Sequence, residues 1–327
     1  MVLRIGTVPL ANRVLLAPMA GITDRTYRLL AREQGSSLVY TEMISAQGLL
    51  YGNRRSLNML PTKGEGRPVA VQLVGSDPAV MGQAAQIVAH YPVDIIDLNM
   101  GCPVEKVVKS GAGAALLKDP DRAARLVAAV TGAVSLPVTV KIRSGWDEGA
   151  ITALSLARRL VAAGAQAVTI HGRTRKQMYG GRADWDLIRQ VKEAVSVPVV
   201  GSGDLWEPAD AARMMAETGC DGVMLARGTL GNPWLISRTI AQLAGIPPPP
   251  PPPPEERIGM ARRHLNLLCA HKGEARGVVE MRKFAAWYLK GLPRSAWARA
   301  QVSRAESKAA MEDILVNFLE NIPPVQV

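Results

Sequence analysis

Eight short runs of apolar, largely β-branched residues recur through the first 230 residues, at 14–17, 38–41, 69–73, 93–98, 138–142, 167–170, 198–200 and 222–225. Most are apolar almost without interruption, as expected of strands covered by helices on both faces. The stretches between them carry helix punctuation. Asp77-Pro78 opens a segment reaching His90, with Asp as cap and Pro at the first helical position. Asp119-Pro120 does the same for 122–130, Glu207-Pro208 precedes 209–217, and Gly219 stands where that helix would stop. Strand-helix alternation repeated eight times predicts an α/β chain folded as a parallel (β/α)8 TIM barrel. A doubly wound open sheet is the alternative, but it needs a reversal of strand order of which the sequence gives no sign.

At 327 residues the chain exceeds the ~250 that such a barrel commonly uses, so a smaller appendage is expected. Pro247 to Pro254 are eight consecutive prolines. Such a run cannot be helix or central strand and reads as an extended, stiff spacer, with a ligand for a proline-binding module as the second reading. Beyond it the pattern is helical, at 255–271, 277–289 and 303–320. The expected division is a barrel domain over 1–246 and a proline-rich linker with a small all-α domain over 247–327.

Hydrophobic residues make up 48% of the chain, which excludes a disordered protein. No run of ~18 apolar residues suggests a membrane span, and the N-terminus does not look like a secretory signal. Cys102, Cys220 and Cys269 lie far apart, so neither a disulfide framework nor a metal site is expected, and a reducing cytoplasm is the expected location. The net charge of +11 favours polyanion partners, nucleic acid first. Residues 255–327 carry +4 of it, so a polyanion surface would span both parts.

In a barrel of this kind, sites form where the strands end. Polar residues and glycines concentrate there: Ala17-Pro18-Met19-Ala20-Gly21 after the first strand, Gln72 on the third, Asn99-Met100-Gly101-Cys102-Pro103 after the fourth. Lys141 and Arg143 follow on the fifth, His171-Gly172-Arg173-Thr174-Arg175 on the sixth, Ser202-Gly203-Asp204 on the seventh and Ala226-Arg227-Gly228 on the eighth. The last two ends suggest a phosphate site, because glycines let backbone N–H groups approach an anion and Arg227 adds a forked cation. Gln72, Lys141 and His171 suit the rim of a flat heterocycle. A buried Lys141 without a partner would be costly, which favours an anionic ligand. Cys102, between Gly101 and Pro103, is held out of helical conformation. A thiol with a pKa near ~8.5 is mostly protonated at neutral pH, which suits a general acid, with nucleophile as the second role.

Three segments carry a family resemblance: Ala17 to Asp24, Asn99 to Pro103, and the long stretch His171 to Trp185. Together with Met281-Arg282-Lys283 and Trp287-Tyr288-Leu289, they closely resemble the tRNA-dihydrouridine synthases, most nearly the bacterial B-type branch. The resemblance covers nearly the whole chain. It implies FMN at the barrel mouth, reduced by NADPH, and reduction of the C5=C6 bond of specific tRNA uridines to 5,6-dihydrouridine. By position Cys102 matches the proton donor to C5. Pro18, Met19, Ala20, Gln72, Lys141 and His171 match flavin contacts. Ser202, Gly203, Asp204, Ala226 and Arg227 match the phosphate region. Asn99 matches a residue near the uracil, and Arg173 and Arg175 stand where RNA contacts are expected. No Gly-x-Gly-x-x-Gly segment is present, so NADPH is expected to visit and leave. The chain departs from the family pattern at Ser202 (usually Asn), Ala226 (usually Gly) and Phe284 (usually His). The alternatives are an FMN-dependent barrel oxidoreductase acting on a small unsaturated molecule, and an inactive RNA-binding relative. The sequence gives no oligomeric state.

Overall fold

The computed structural model describes residues 2–322. Its centre is a ring of eight parallel strands: β1 Val14–Leu16, β2 Val39–Tyr40, β3 Val69–Val74, β4 Ile95–Met100, β5 Val138–Arg143, β6 Val168–His171, β7 Val199–Ser202 and β8 Gly222–Leu225. Neighbours in sequence are neighbours in the sheet. β8 returns to β1 through Val223 opposite Val14, and a parallel bridge from Leu15 to Leu38 joins β1 to the start of β2. No reversal of strand order occurs, so the closed arrangement stands and the open sheet does not.

The helices cover the outside in chain order. They are α1 Arg25–Glu33, α2 Ala46–Leu50, α3 Arg54–Leu57, α4 Pro78–Ala89, α5 Glu105–Lys109, α6 Pro120–Ala133, α7 Ala153–Ala162, α8 Trp185–Ala194, α9 Pro208–Thr218 and α10 Leu235–Leu243. The punctuation read from the sequence operates as chemistry. The Asp77 and Asp119 side chains accept from Val80 N–H and Arg122 N–H, and Gly219 ends α9 in the left-handed region at φ 66°.

Alternation along the strands divides the core in two. Residues such as Val14, Leu16, Val71, Leu73, Ile96 and Leu98 face the helices. Leu15, Leu38, Tyr40, Ala70, Ile95, Ala167, Val200 and Met224 fill the barrel. Leu3, Ile5 and Leu10, on and beside an antiparallel pair formed by Arg4–Ile5 and Val8–Pro9, pack against that inner cluster.

After α10 the prolines run extended as far as Pro253, and Pro254 already occupies the first turn of α11 Pro254–Lys272. Then follow α12 Glu274–Leu289, α13 Ser295–Val302 and α14 Lys308–Glu320. Two differences from the sequence reading have local causes. α12 starts before Gly277, which sits inside the helix because a Cβ there would come within 2.8 Å of the Cys269 backbone of α11. The helix expected over 303–320 starts only at Lys308, where Ser307 caps α14 by accepting from Ala310 N–H, and α13 is a helix for which the sequence reading has no counterpart. No helix among the described residues is long and apolar enough to cross a membrane.

The C-terminal helices share a continuous apolar core with the outer layer of the barrel. Tyr27 of α1 stacks on Phe284 of α12 at 5.8 Å between ring centres, and its hydroxyl donates to Thr229 O at 2.7 Å. Gly231, at φ 67°, lies where a Cβ would enter the Trp287 backbone and stand 2.7 Å from Tyr288 N. Gly52 has a similar φ of 62° with open space around it. Gly231→Ala is therefore expected to cost on the order of 2–4 kcal/mol and Gly52→Ala about 1 kcal/mol, measured by denaturant unfolding. Equal costs would show that the close approach to α12 is unimportant.

Candidate active site

A cavity of about 480 Å³ opens where the strands end. That is a size typical of a small-molecule or cofactor pocket. Its floor is set by strand register. Gln72 lies opposite Asp97, Asn99 opposite Lys141, Arg143 opposite His171, and His171 opposite Ser202. With a side-chain period of two, these strands turn their polar residues inward, above the apolar layer of Ala70, Ile95, Ala167 and Val200. Pro18, Met19, Ala20, Gln72, Asn99, Cys102, Lys141, His171, Ser202, Gly203, Asp204, Ala226 and Arg227 all line the cavity.

The electrostatics are lopsided. Among the described residues, nothing makes a hydrogen bond or ion pair with the Lys141 ammonium. Burial, then the neighbouring Arg143, pushes its pKa down to about 8, against the pull of Asp97. His171 is pushed well below its usual value by burial and by Lys141, Arg143, Arg173 and Arg227, so it is neutral at physiological pH. Burial raises the Cys102 thiol, which leaves it protonated. Cys220 is buried away from the cavity, and Cys269 lies in α11.

The loop bearing Cys102 is held on both sides. Asn99 Oδ1 accepts from Cys102 N–H at 2.9 Å and from Gly101 N–H at 3.2 Å. Arg143 Nε donates to Gly101 O at 2.9 Å. Gly113 allows Cys102 to lie against it, since a Cβ there would stand 2.8 Å from Cys102 O.

Four of the candidate residues have partners that the sequence does not show. Arg173 is buried at 2% exposure, with its guanidinium on Asp204 Oδ1 at 2.7 Å, Gly180 O at 2.9 Å and Gly181 O at 2.6 Å. It organises the loop after β6 and presents no face to RNA. Arg175 stacks on Trp146, 4.8 Å from the ring centre, outside the cavity lining. The Asp204 carboxylate is committed to Arg173 and to Ala183 N–H, so at the cavity it offers backbone and not a free acid. Ser202 donates its hydroxyl to Met224 O at 3.2 Å.

The sequence reading assigned no role to Asp97, Arg143, Tyr179 or Trp206. Arg143 reaches Thr174 O and Met178 O as well as Gly101 O. Tyr179 and Trp206, both about half exposed, stand at the mouth with the Arg227 guanidinium 4.7 and 5.1 Å from their ring centres. Inward parity on β4 and β5 is the signal that would have found Asp97 and Arg143. Among the described residues there is no cluster of His, Cys, Asp or Glu able to hold a metal ion.

A family model described as dihydrouridine synthase matches residues 15–323. The chain belongs to the dihydrouridine synthase family. A probable tRNA-dihydrouridine synthase from Rickettsia conorii is 38% identical over 98% of this chain and 97% of its own length. A tRNA-dihydrouridine synthase B from Pseudomonas aeruginosa is 40% identical over 94% of this chain and 93% of its own. Among solved structures, histamine dehydrogenase from Rhizobium sp. 4-9 superposes with a TM-score of 0.53 at 18% identity, covering 72% of this chain and 46% of that one, a likeness of fold. As a member of this family the protein is an enzyme, a flavin-dependent oxidoreductase.

Lys141 carries its charge against its surroundings, and that has a measurable sign. Its folded-state pKa of about 8 lies below the ordinary 10.5. Between those values the unfolded chain holds a proton that the folded one has released, so this residue makes stability rise with pH across that window. In ligand-free protein, Lys141→Met is expected to raise the melting temperature at neutral pH by roughly 2–6 °C and to flatten the rise above pH 8. A lower melting temperature in the variant would show that the ammonium is already satisfied by the protein.

Proposed function

We propose that the protein reduces specific uridines of transfer RNA to 5,6-dihydrouridine, with FMN as resident flavin and NADPH as transient reductant. The observation that carries this reading is that the Cys102 thiol and a Lys141 ammonium with no hydrogen-bond or ion-pair partner among the described residues line the same cavity at the strand ends.

The residues present fit FMN. Lys141 is an uncommitted cation suited to the electron-rich edge of a reduced ring, and neutral His171 and Gln72 offer donors and acceptors in the same cavity. Gly203, at φ 116°, keeps clear a place where a Cβ would fall 2.7 Å from Ala183 Cβ and 2.9 Å from the His171 ring. With Gly228 and Arg227, that backbone offers N–H groups and a forked cation to a phosphate. FMN held by these residues would supply hydride chemistry toward uracil C6, with NADPH as its reductant.

The chain's own residues do the rest. Asn99 holds the Cys102 backbone in place and stands beside the uracil. The Cys102 thiol gives its proton to C5, and the thiolate left behind is reprotonated from solvent. A uridine must leave its stack to reach this depth. A second cavity of about 1090 Å³ adjoins the first at Ala20-Gly21-Ile22. It lies between barrel and C-terminal helices and presents Arg25, Arg28, Arg55, Lys272, Arg276 and Lys283 against Asp24, Glu42, Glu65 and Glu280. We assign this groove to the tRNA backbone, whose recognition there would be sensitive to salt.

The deciding assay is dihydrouridine mapped by position in unmodified tRNA after incubation with protein, FMN and NADPH. Product at one or a few positions is expected. Cys102→Ala is expected to retain flavin and lose turnover by ~10²–10⁴-fold, the range for a positioned general acid. Turnover within a few-fold of wild type would remove Cys102 from the proton-transfer step.

A further inference from the structure

The barrel buries one acid for which the chemistry above has no use. Asp97 is fully enclosed at 0% exposure, on β4 one inward step below Asn99. A carboxylate in such a place is expensive unless its oxygens are satisfied. One oxygen accepts from Thr139 Oγ1 at 2.6 Å and the other from Gln72 Nε2 at 2.7 Å. Gln72 Oε1 then accepts from Asn99 Nδ2 at 2.8 Å, and Asn99 Oδ1 accepts from Cys102 N–H and Gly101 N–H.

This series has one polarity. An ionised carboxylate only accepts and a backbone N–H only donates, so each end dictates which way the two amides between them face. Turning either amide over would set N–H against N–H at one junction and oxygen against oxygen at another. Two side chains whose terminal amides would otherwise rotate are thereby held in one orientation at the cavity floor.

We propose that Asp97 is a positioning residue: its carboxylate, through the amides of Gln72 and Asn99, fixes the Gly101–Cys102 backbone and so sets where the Cys102 thiol stands. The functional consequence rests on the dihydrouridine reading, but the geometric claim does not. Asn at 97 keeps an acceptor for Gln72 Nε2, and its own amide can donate to Thr139 Oγ1, so the polarity survives. Leu at 97 removes the acceptor, frees the Gln72 amide and loosens the loop.

The test is the rate of alkylation at Cys102 by iodoacetamide in flavin-loaded protein without tRNA, read peptide by peptide in a mass spectrometer, with kcat and KM for tRNA measured alongside. Asp97→Leu is expected to speed alkylation about tenfold, the size of one lost hydrogen bond, and to lower kcat more than it changes KM. Asp97→Asn is expected to stay within about threefold of wild type in both. If the Leu variant does not fold, Gln72→Met breaks the next link and is expected to give the same acceleration. Wild-type alkylation in whichever of these folds overturns the proposal. So does an Asn variant as fast as the Leu variant, which would show that charge and not hydrogen bonding matters. Wild-type protein that makes no dihydrouridine would refute the proposed reaction while leaving the alkylation result readable.

Discussion

Strand register is the constraint on which the rest of the structure depends. Side chains alternate with a period of two, so the pairing of Gln72 with Asp97, Asn99 with Lys141 and Ser202 with His171 decides which face of the sheet each one serves. A slip of one residue on β4 would send Asp97 and Asn99 outward among the apolar residues of the helix layer and bring Leu98 and Met100 into the cavity. The register is enforced from below. Ile95, Ala70, Ala167, Val200 and Met224 fill the barrel on the same inward parity, and a slip would expose them to the outer layer's packing as well. The apolar floor and the polar mouth are thus one pattern, read along the same strands.

That pattern produces a cavity poorer in negative than in positive charge. Lys141 and Arg227 stand at it without ion-pair partners among the described residues, and Arg143 spends its donors on backbone carbonyls. Asp97 lies beneath them with its oxygens committed to Gln72 and Thr139, so it tempers Lys141 without neutralising it. The field also explains the neutral state of His171, since every charged group acting on it is a cation. A protein that leaves two cations uncompensated in a half-closed pocket has left room for an anionic ligand to complete the balance.

Much of this was legible in the sequence, and what was not has physical reasons. The eight strands and their caps are local features, and the structure reproduces them within a few residues at each end. Positions such as Gln72, Lys141 and Cys102 could be read because they fall where strands end. Arg173 could not, because its partner Asp204 lies 31 residues away and only the folded loop shows that the pair is internal. Asp97 was hidden in an apolar run. Its inward parity was available, but a lone acid between Ile96 and Leu98 draws no notice until its neighbours are known. The later start of the last helix, at Lys308 in place of 303, turned on the Ser307 cap, a single side-chain hydrogen bond.

The three positions at which the chain departs from the pattern of the family it resembles are informative together. Ser202 spends its hydroxyl on Met224 O within the barrel, leaving backbone as its offering to a ligand. Ala226 packs its methyl against the inner apolar cluster. Phe284 is buried at 1% exposure between Tyr27 and His264, with ring centres 5.8 and 4.4 Å away. A histidine there would face Tyr27 and His264 inside the joint between barrel and helices, not RNA. The substitution to phenylalanine therefore belongs to the apolar seam that keeps the two parts together, and the groove beside it keeps its Lys272, Arg276 and Lys283. Ser202 and Ala226 line the cavity with the hydroxyl and methyl turned to barrel partners, and Phe284 lies in the seam, so the cavity keeps its cations and its thiol with all three departures in place.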